Sequence, residues 1–171
     1  MKKIALILLV LVLGTTLIAG CPAQKESVDE PTPRYNGVSA DIMPPEDMTW
    51  INPGKVFISG FYPGARAEST LLLYNGSDDA VPFSVTFRTP DNVEDGYAMP
   101  PPEAQNWVTV DDPAPVLAPK ETRALLIALE MPEEAISPAD RWEFWISVMD
   151  TAQGGMVREE LASRWLITMR E

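Results

Sequence analysis

The sequence has no histidine and only one cysteine, Cys21. Without histidine there is no imidazole base, no imidazole metal ligand, and no Ser-His-Asp or Cys-His arrangement. A lone cysteine permits no intramolecular disulfide, so packing alone must hold the fold. Basic residues are also scarce. Thirteen Lys and Arg stand against 25 Asp and Glu, for a formal net charge of −12. Nucleic acids and anionic lipids both require basic patches, and this balance argues against them. It favours solubility and attracts cations or basic partners. No Asp-x-Asp-x-Asp-Gly loop is present, so no metal site or cofactor is expected. Carboxylate-only hydrolysis would need two acids converging in a cleft. The absences point to a protein that is not an enzyme.

The most legible segment present is the start of the chain. Lys2 and Lys3 precede an apolar run from Ile4 to Leu13, and Leu17-Ile18-Ala19-Gly20-Cys21 follows Gly14-Thr15-Thr16. A charged start, a short apolar core and a small-residue end are the parts of a secretory signal. The interrupted run is marginal for a membrane span, which needs roughly 20 apolar residues. The segment resembles a bacterial-type lipoprotein signal peptide ending in a lipobox. That resemblance implies a signal peptide over 1–20, lipidation of Cys21, and an extracytoplasmic address on the cell membrane or outer envelope. It also implies that no free thiol remains. With Lys2 and Lys3 gone, 11 basic residues face 25 acidic ones, a charge of −14. Two or more acyl chains hold a protein stably, at about 0.8 kcal/mol per buried methylene.

Residues 21–47 then read as the lipidated cysteine and a disordered, proline-rich linker. At roughly 3 Å per residue, such a linker reaches several tens of ångströms from a bilayer. Residues 48–171 form one domain of adequate size for a core.

Within the domain, short apolar runs alternate with Gly, Pro, Asn and Asp. Val56-Phe57-Ile58 reads as a strand ended by Gly60 and the Pro63-Gly64 turn. Residues 68–74 form a second, whose apolar run suits a buried strand, and Asn75 to Asp79 carry dense turn chemistry. Val81, Phe83, Val85 and Phe87 alternate with polar residues, the cleanest period-two signal in the chain. Residues 107–110 form a short strand, and 122–129 a continuous apolar core strand. Trp142, Phe144, Ile146 and Val148 alternate along the next, and a final strand or strand pair spans 157–169. Residues 90–105 are a long loop. This rhythm predicts an all-β fold, an immunoglobulin-like antiparallel β-sandwich of about seven strands.

The stretches FYPGARAESTLLLYNGSDDAVPFSVTF and WVTVDDPAPVLAPKETRALLIALEMPEE carry a further likeness. Their order of turns and strands is similar to the immunoglobulin-like domains of the major sperm protein and PapD-like group. The resemblance implies a binding or structural module without catalytic chemistry. The chain lacks the Cys…Trp…Cys core of antibody-type domains, and no pilus-chaperone anchor residues can be carried over.

Two side chains stand out as contact candidates. If Trp142, Phe144 and Ile146 face the core, Trp145 points outward between Glu143 and Ser147. It either offers a hot spot to a protein or sugar, or packs across strands on Arg158 or Arg164. Tyr97 sits in the long loop beside Pro100-Pro101-Pro102. The loop either presents Tyr97 or the prolines to a partner, or folds back over the end of the sandwich. Trp107 and Trp165 are expected in the core or its rim. Asp91, Glu94 and Asp95 are expected as solvated loop acids, and Asn75-Gly76-Ser77 as a turn despite matching a glycosylation sequon. The expected function is a lipid-anchored module that binds an envelope protein or serves structurally. The alternative is a carbohydrate-binding accessory module that reads polysaccharide through Trp145.

Overall fold

The computed structural model describes residues 33–35, 45–135, 139–152 and 160–170. The expected signal peptide, Cys21 and most of the expected linker lie outside them. The strands are β1 (Pro33–Tyr35), β2 (Trp50–Asn52), β3 (Lys55–Phe61), β4 (Arg66–Tyr74) and β5 (Val81–Arg88). Beyond a short 3-10 turn at Pro102–Asn106 follow β6 (Val108–Val110), β7 (Val116–Leu117), β8 (Thr122–Glu130), β9 (Arg141–Asp150) and β10 (Glu160–Met169). They form two sheets, one in the order β1-β3-β10-β9-β5-β7 and the other β2-β4-β8-β6. This is the all-β sandwich that the turn rhythm predicts. All pairings are antiparallel except β3 with β10, which is parallel.

Period-two alternation builds the core. Along β9, Trp142, Phe144, Ile146 and Val148 are buried and meet the inward residues of β4 and β8, including Leu71, Leu73, Leu125, Ile127 and Leu129. Full burial of one such side chain contributes about 1.5–3 kcal/mol. Phe144 lies at the centre of an aromatic layer, 5.3 Å from Phe87, 5.4 Å from Trp165 and 5.8 Å from Trp142. Trp107 meets Trp142 edge-on at 6.1 Å, so both remaining core candidates are core residues. Trp165 Nε1 is buried without a hydrogen-bond partner, a cost of roughly 1–3 kcal/mol that its packing offsets.

Turns follow local chemistry. In Tyr62-Pro63-Gly64-Ala65, Gly64 takes φ 84° and Ala65 N–H donates to Tyr62 O at 2.9 Å, as a turn with a left-handed third residue requires. Asn75 is fully buried. Its Nδ2 donates to the carbonyls of Asp79, Leu117 and Ala118, and its Oδ1 accepts from Ser77 N–H. The sequon is therefore a structural turn, with its amide enclosed. A Cβ on Gly76 would lie 2.3 Å from the Met48 carbonyl carbon, so only glycine lets residues 45–49 cross there. Tyr74 Oη and Lys120 Nζ both donate to Glu46 O, which ties the crossing segment down.

The segment expected as linker also contributes structure. Its residues Pro33–Tyr35 are β1, paired antiparallel with Ile58 to Val56 of β3.

Candidate functional site

The outward faces of the two sheets hold the candidate site residues, and they differ in kind. On the six-stranded sheet, Arg88, Trp145, Arg164 and Lys55 are register partners across β5, β9, β10 and β3. Alternation puts all four on the outer face, as expected for Trp145. Outward does not mean exposed here. Glu143, two residues away on the same face, is 0% exposed.

The cause is the chain between β5 and the 3-10 turn. After Arg88 it leaves the sheet and returns at Ala98, which forms a parallel bridge to Trp142. Ala98 N–H donates to Arg141 O at 2.9 Å, and Glu143 N–H donates to Ala98 O at 3.0 Å. Between these points, residues 89–97 are strapped to the sheet by charge. Glu94 N–H donates to Glu143 Oε2 at 2.7 Å, and Glu94 Oε2 lies 2.6 Å from Lys55 Nζ and 3.4 Å from Arg164 Nη2. Asp91 accepts from Arg88 at 3.0 Å. Gly96, at φ 84°, turns the strap back toward β9.

Glu143 is the hub. Arg164 donates to its two oxygens at 2.7 and 2.9 Å, and Trp145 Nε1 donates at 2.6 Å. Burial pushes its carboxyl pKa up, but the bonds from Arg164, Trp145 and Glu94 outweigh that and hold it below the ordinary carboxylate value. Nearby, Glu160 accepts from Ser147 Oγ at 2.6 Å and pairs with Arg88, and both interactions lower its pKa. The Arg88 guanidinium stands 5.6 Å from the Trp145 ring centroid. Trp145 is thus half-buried, with its N–H committed and a cation over its ring. Of its two expected cross-strand neighbours, Arg164 is the register partner and Arg158 lies outside the described residues.

Tyr97 is half-buried at the end of the strap, in a shallow depression with Gly96, Ala98, Ala139, Asp140 and Arg141. Pro100 and Pro101 are buried and Pro102 starts the 3-10 turn, so the proline run is not free to enter a partner's groove. Asp91 and Glu94 serve different cations rather than a common metal, and no cluster of three metal-capable groups occurs among the described residues. A cavity of about 140 Å³ lies between Val81, Phe83, Val148 and Leu161, rimmed by Thr49, Ser77 and Asp150. Among the described residues it holds one carboxylate, as does the Tyr97 depression.

The outer face of the four-stranded sheet carries Thr70, Leu72 and Tyr74 of β4 opposite Leu126, Ala124 and Thr122 of β8. Trp50 pairs with Tyr74 in register, and their rings stack at 5.3 Å. Leu126 is 38% exposed. Of the charges at one end, Arg66 donates to both Glu68 and Glu130, and the exposed Asp111 accepts from Leu126 N–H at 2.9 Å. Sequence reading took these two strands as core and passed over this face. A signal was there in β8, whose run Ala124 to Leu129 is continuous rather than alternating, the pattern of strands covered on both sides.

The fold is an immunoglobulin-like β-sandwich, and solved structures with a similar fold include PapD-like domains. The ASH/PapD-like domain 7 of human CEP192 superposes with a TM-score of 0.54 at 14% identity, over 81% of this chain and 99% of that domain. The periplasmic chaperone SfaE gives 0.50 at 13% identity, over 72% of this chain and 59% of the chaperone. A C. elegans major sperm protein family member gives 0.39 at 14% identity. The likeness is one of fold. No family model and no curated protein matches the sequence.

Proposed function

We propose that the chain is an exported lipoprotein, with a signal peptide over residues 1–20 and acyl chains on Cys21. A non-catalytic, protein-binding sandwich then works outside the cytoplasm at the cell membrane or outer envelope. The observation that carries the anchor is Leu17-Ile18-Ala19-Gly20-Cys21 after a charged, apolar start, with Cys21 the chain's sole thiol. Support for a binding module comes from the PapD-like fold, a chemistry without histidine, and the pairing of Glu143 and Glu94 with Arg164 and Lys55. The partner on this reading is an envelope protein. Sugar binding through Trp145 draws no support from its geometry, because Glu143 and Arg88 already occupy its N–H and ring.

Replacing Cys21 tests the anchor. Cys21→Ser should move the protein from the membrane fraction to the soluble fraction and leave its circular dichroism melt unchanged. Continued membrane retention of the variant would refute lipid anchoring. Affinity capture from envelope extracts with the released chain then tests for a protein partner. Capture of polysaccharide alone would replace the protein-binding reading.

A further inference from the structure

We propose that the cavity between Val81, Phe83, Val148 and Leu161 binds a small organic cation, an amine that carries one ring-sized apolar group. The cavity lies on the inner face of the six-stranded sheet. Phe83 of β5 is the register partner of Asp150 of β9, and Leu161 of β10 is that of Val148. Phe83 and Val148 are buried, so alternation sets Asp150 and Leu161 on the same inner side. Asp150 breaks the pattern of its own strand. After Trp142, Phe144, Ile146 and Val148, the next inward position holds a half-buried carboxylate. A charge at such a position needs a partner or solvent, and breaks of local pattern concentrate at functional sites.

The rim selects the charge of the ligand. Asp150 Oδ1 accepts from Ala152 N–H at 2.7 Å, and its Oδ2 has no hydrogen bond or ion pair among the described residues. Thr49 Oγ1 accepts from Gly76 N–H at 3.2 Å, and Ser77 Oγ accepts from Asp79 N–H at 3.0 Å. Each hydroxyl oxygen keeps a second lone pair. The rim therefore offers three oxygen acceptors, and a primary ammonium brings three N–H donors. A formal net charge of −12 draws cations toward the whole molecule. An anion is repelled by Asp150 and by that field, and a neutral apolar molecule leaves Asp150 without a counter-charge.

Volume sets the apolar part. The cavity measures about 140 Å³, and an apolar cavity of about 150 Å³ admits one benzene ring. One aromatic ring or one branched aliphatic group thus fits against Val81, Phe83, Val148 and Leu161, and a second ring does not. Apolar floor and charged rim together make the site, since pockets bind through mostly apolar walls with a few placed polar groups.

Methyl NMR on the purified full-length chain tests the site with benzylammonium as the probe. Its addition should shift the methyl signals of Val81, Val148 and Leu161 and saturate. Benzyl alcohol, the ring without the charge, should bind at least tenfold more weakly, and so should methylammonium, the charge without the ring. Asp150→Asn keeps an oxygen for Ala152 N–H but loses the charge, and it should weaken benzylammonium at least tenfold while leaving benzyl alcohol unchanged. Asp95→Asn, on the strap over the other face of this sheet, removes the same charge and should leave both affinities unchanged. Shifts that do not saturate would overturn the proposal. So would equal affinity for benzylammonium and either half-ligand, or equal affinities in the Asp150→Asn and Asp95→Asn variants.

Discussion

The two outer faces of the sandwich are made from strands of similar length and equal regularity, yet one is covered and the other bare. On the six-stranded sheet, a charged row is roofed by residues 89–97, and a glutamate sits beneath with no exposure. On the four-stranded sheet, leucine, alanine, threonine and a stacked Trp50–Tyr74 pair face outward without a roof among the described residues. On the six-stranded sheet, polarity and exposure are therefore inverted relative to simple expectation. Covering a charged face is tolerable only because every buried oxygen of Glu143 finds a donor. Leaving an apolar face bare is costly unless something outside the domain covers it. The difference separates a face whose buried charge holds a strap of chain from one that carries only exposed ion pairs and scattered apolar side chains.

That contrast can be broken most forcefully at Glu143. Glu143→Ala removes the hub and leaves Arg164 and the strap amide unpaired. Urea unfolding should show a loss of about 3 kcal/mol, as for a buried ion pair with one partner removed. Hydrogen exchange at residues 91–97 should rise in the same variant. A loss confined to a few tenths would mean that the strap is held by packing alone.

A smaller effect comes from acid. The carboxyls of Glu143 and Glu160 lie below their ordinary value of about 4.5 in the folded state, so their contribution is complete above it. It is lost as pH falls through the depressed folded values, because the unfolded chain takes up protons first. The urea midpoint should thus drop steeply below about pH 4.5. Glu143→Gln should flatten that slope, whereas Ala124→Glu on the bare face should leave the Glu143 contribution intact.

The smallest effect is expected at the triad of the bare face. Arg66 is half exposed and bonds to Glu68 and Glu130 in solvent, where screening removes most of the gain. Arg66→Ala should leave the urea midpoint unchanged within error. A clear loss would show that the two faces are less different than their burial suggests.

Much of the fold was legible because strand periodicity is local. The alternation in 81–88 and 142–149 marked β5 and β9, and it placed Trp145 on the outer side. The strand β7 was not legible, since two residues carry too little pattern to separate from loop, and β2 was passed over although it is as long as β6, which was read. Glu143 escaped for a different reason. Its neighbours in sequence suggest a solvated charge, and its burial depends on Glu94, which lies 49 positions earlier. Asn75 is similar, since Leu117 and Ala118 accept from it across more than forty positions. For the bare face, the apolar runs were seen and read as core. Local pattern shows that a strand is suited to burial on both sides, but not whether its own domain supplies the second cover.

The small strand β1 bears on mechanics. Read as free chain, the tether would run from Cys21 to the domain near residue 45 or beyond. Because Pro33–Tyr35 pairs with β3, eleven residues, 22–32, separate Cys21 from that paired strand. Fully extended, that leash spans at most about 40 Å at ~3.5 Å per residue. On the lipid anchor proposed above, so short a connection would keep the domain within a thin layer above the bilayer.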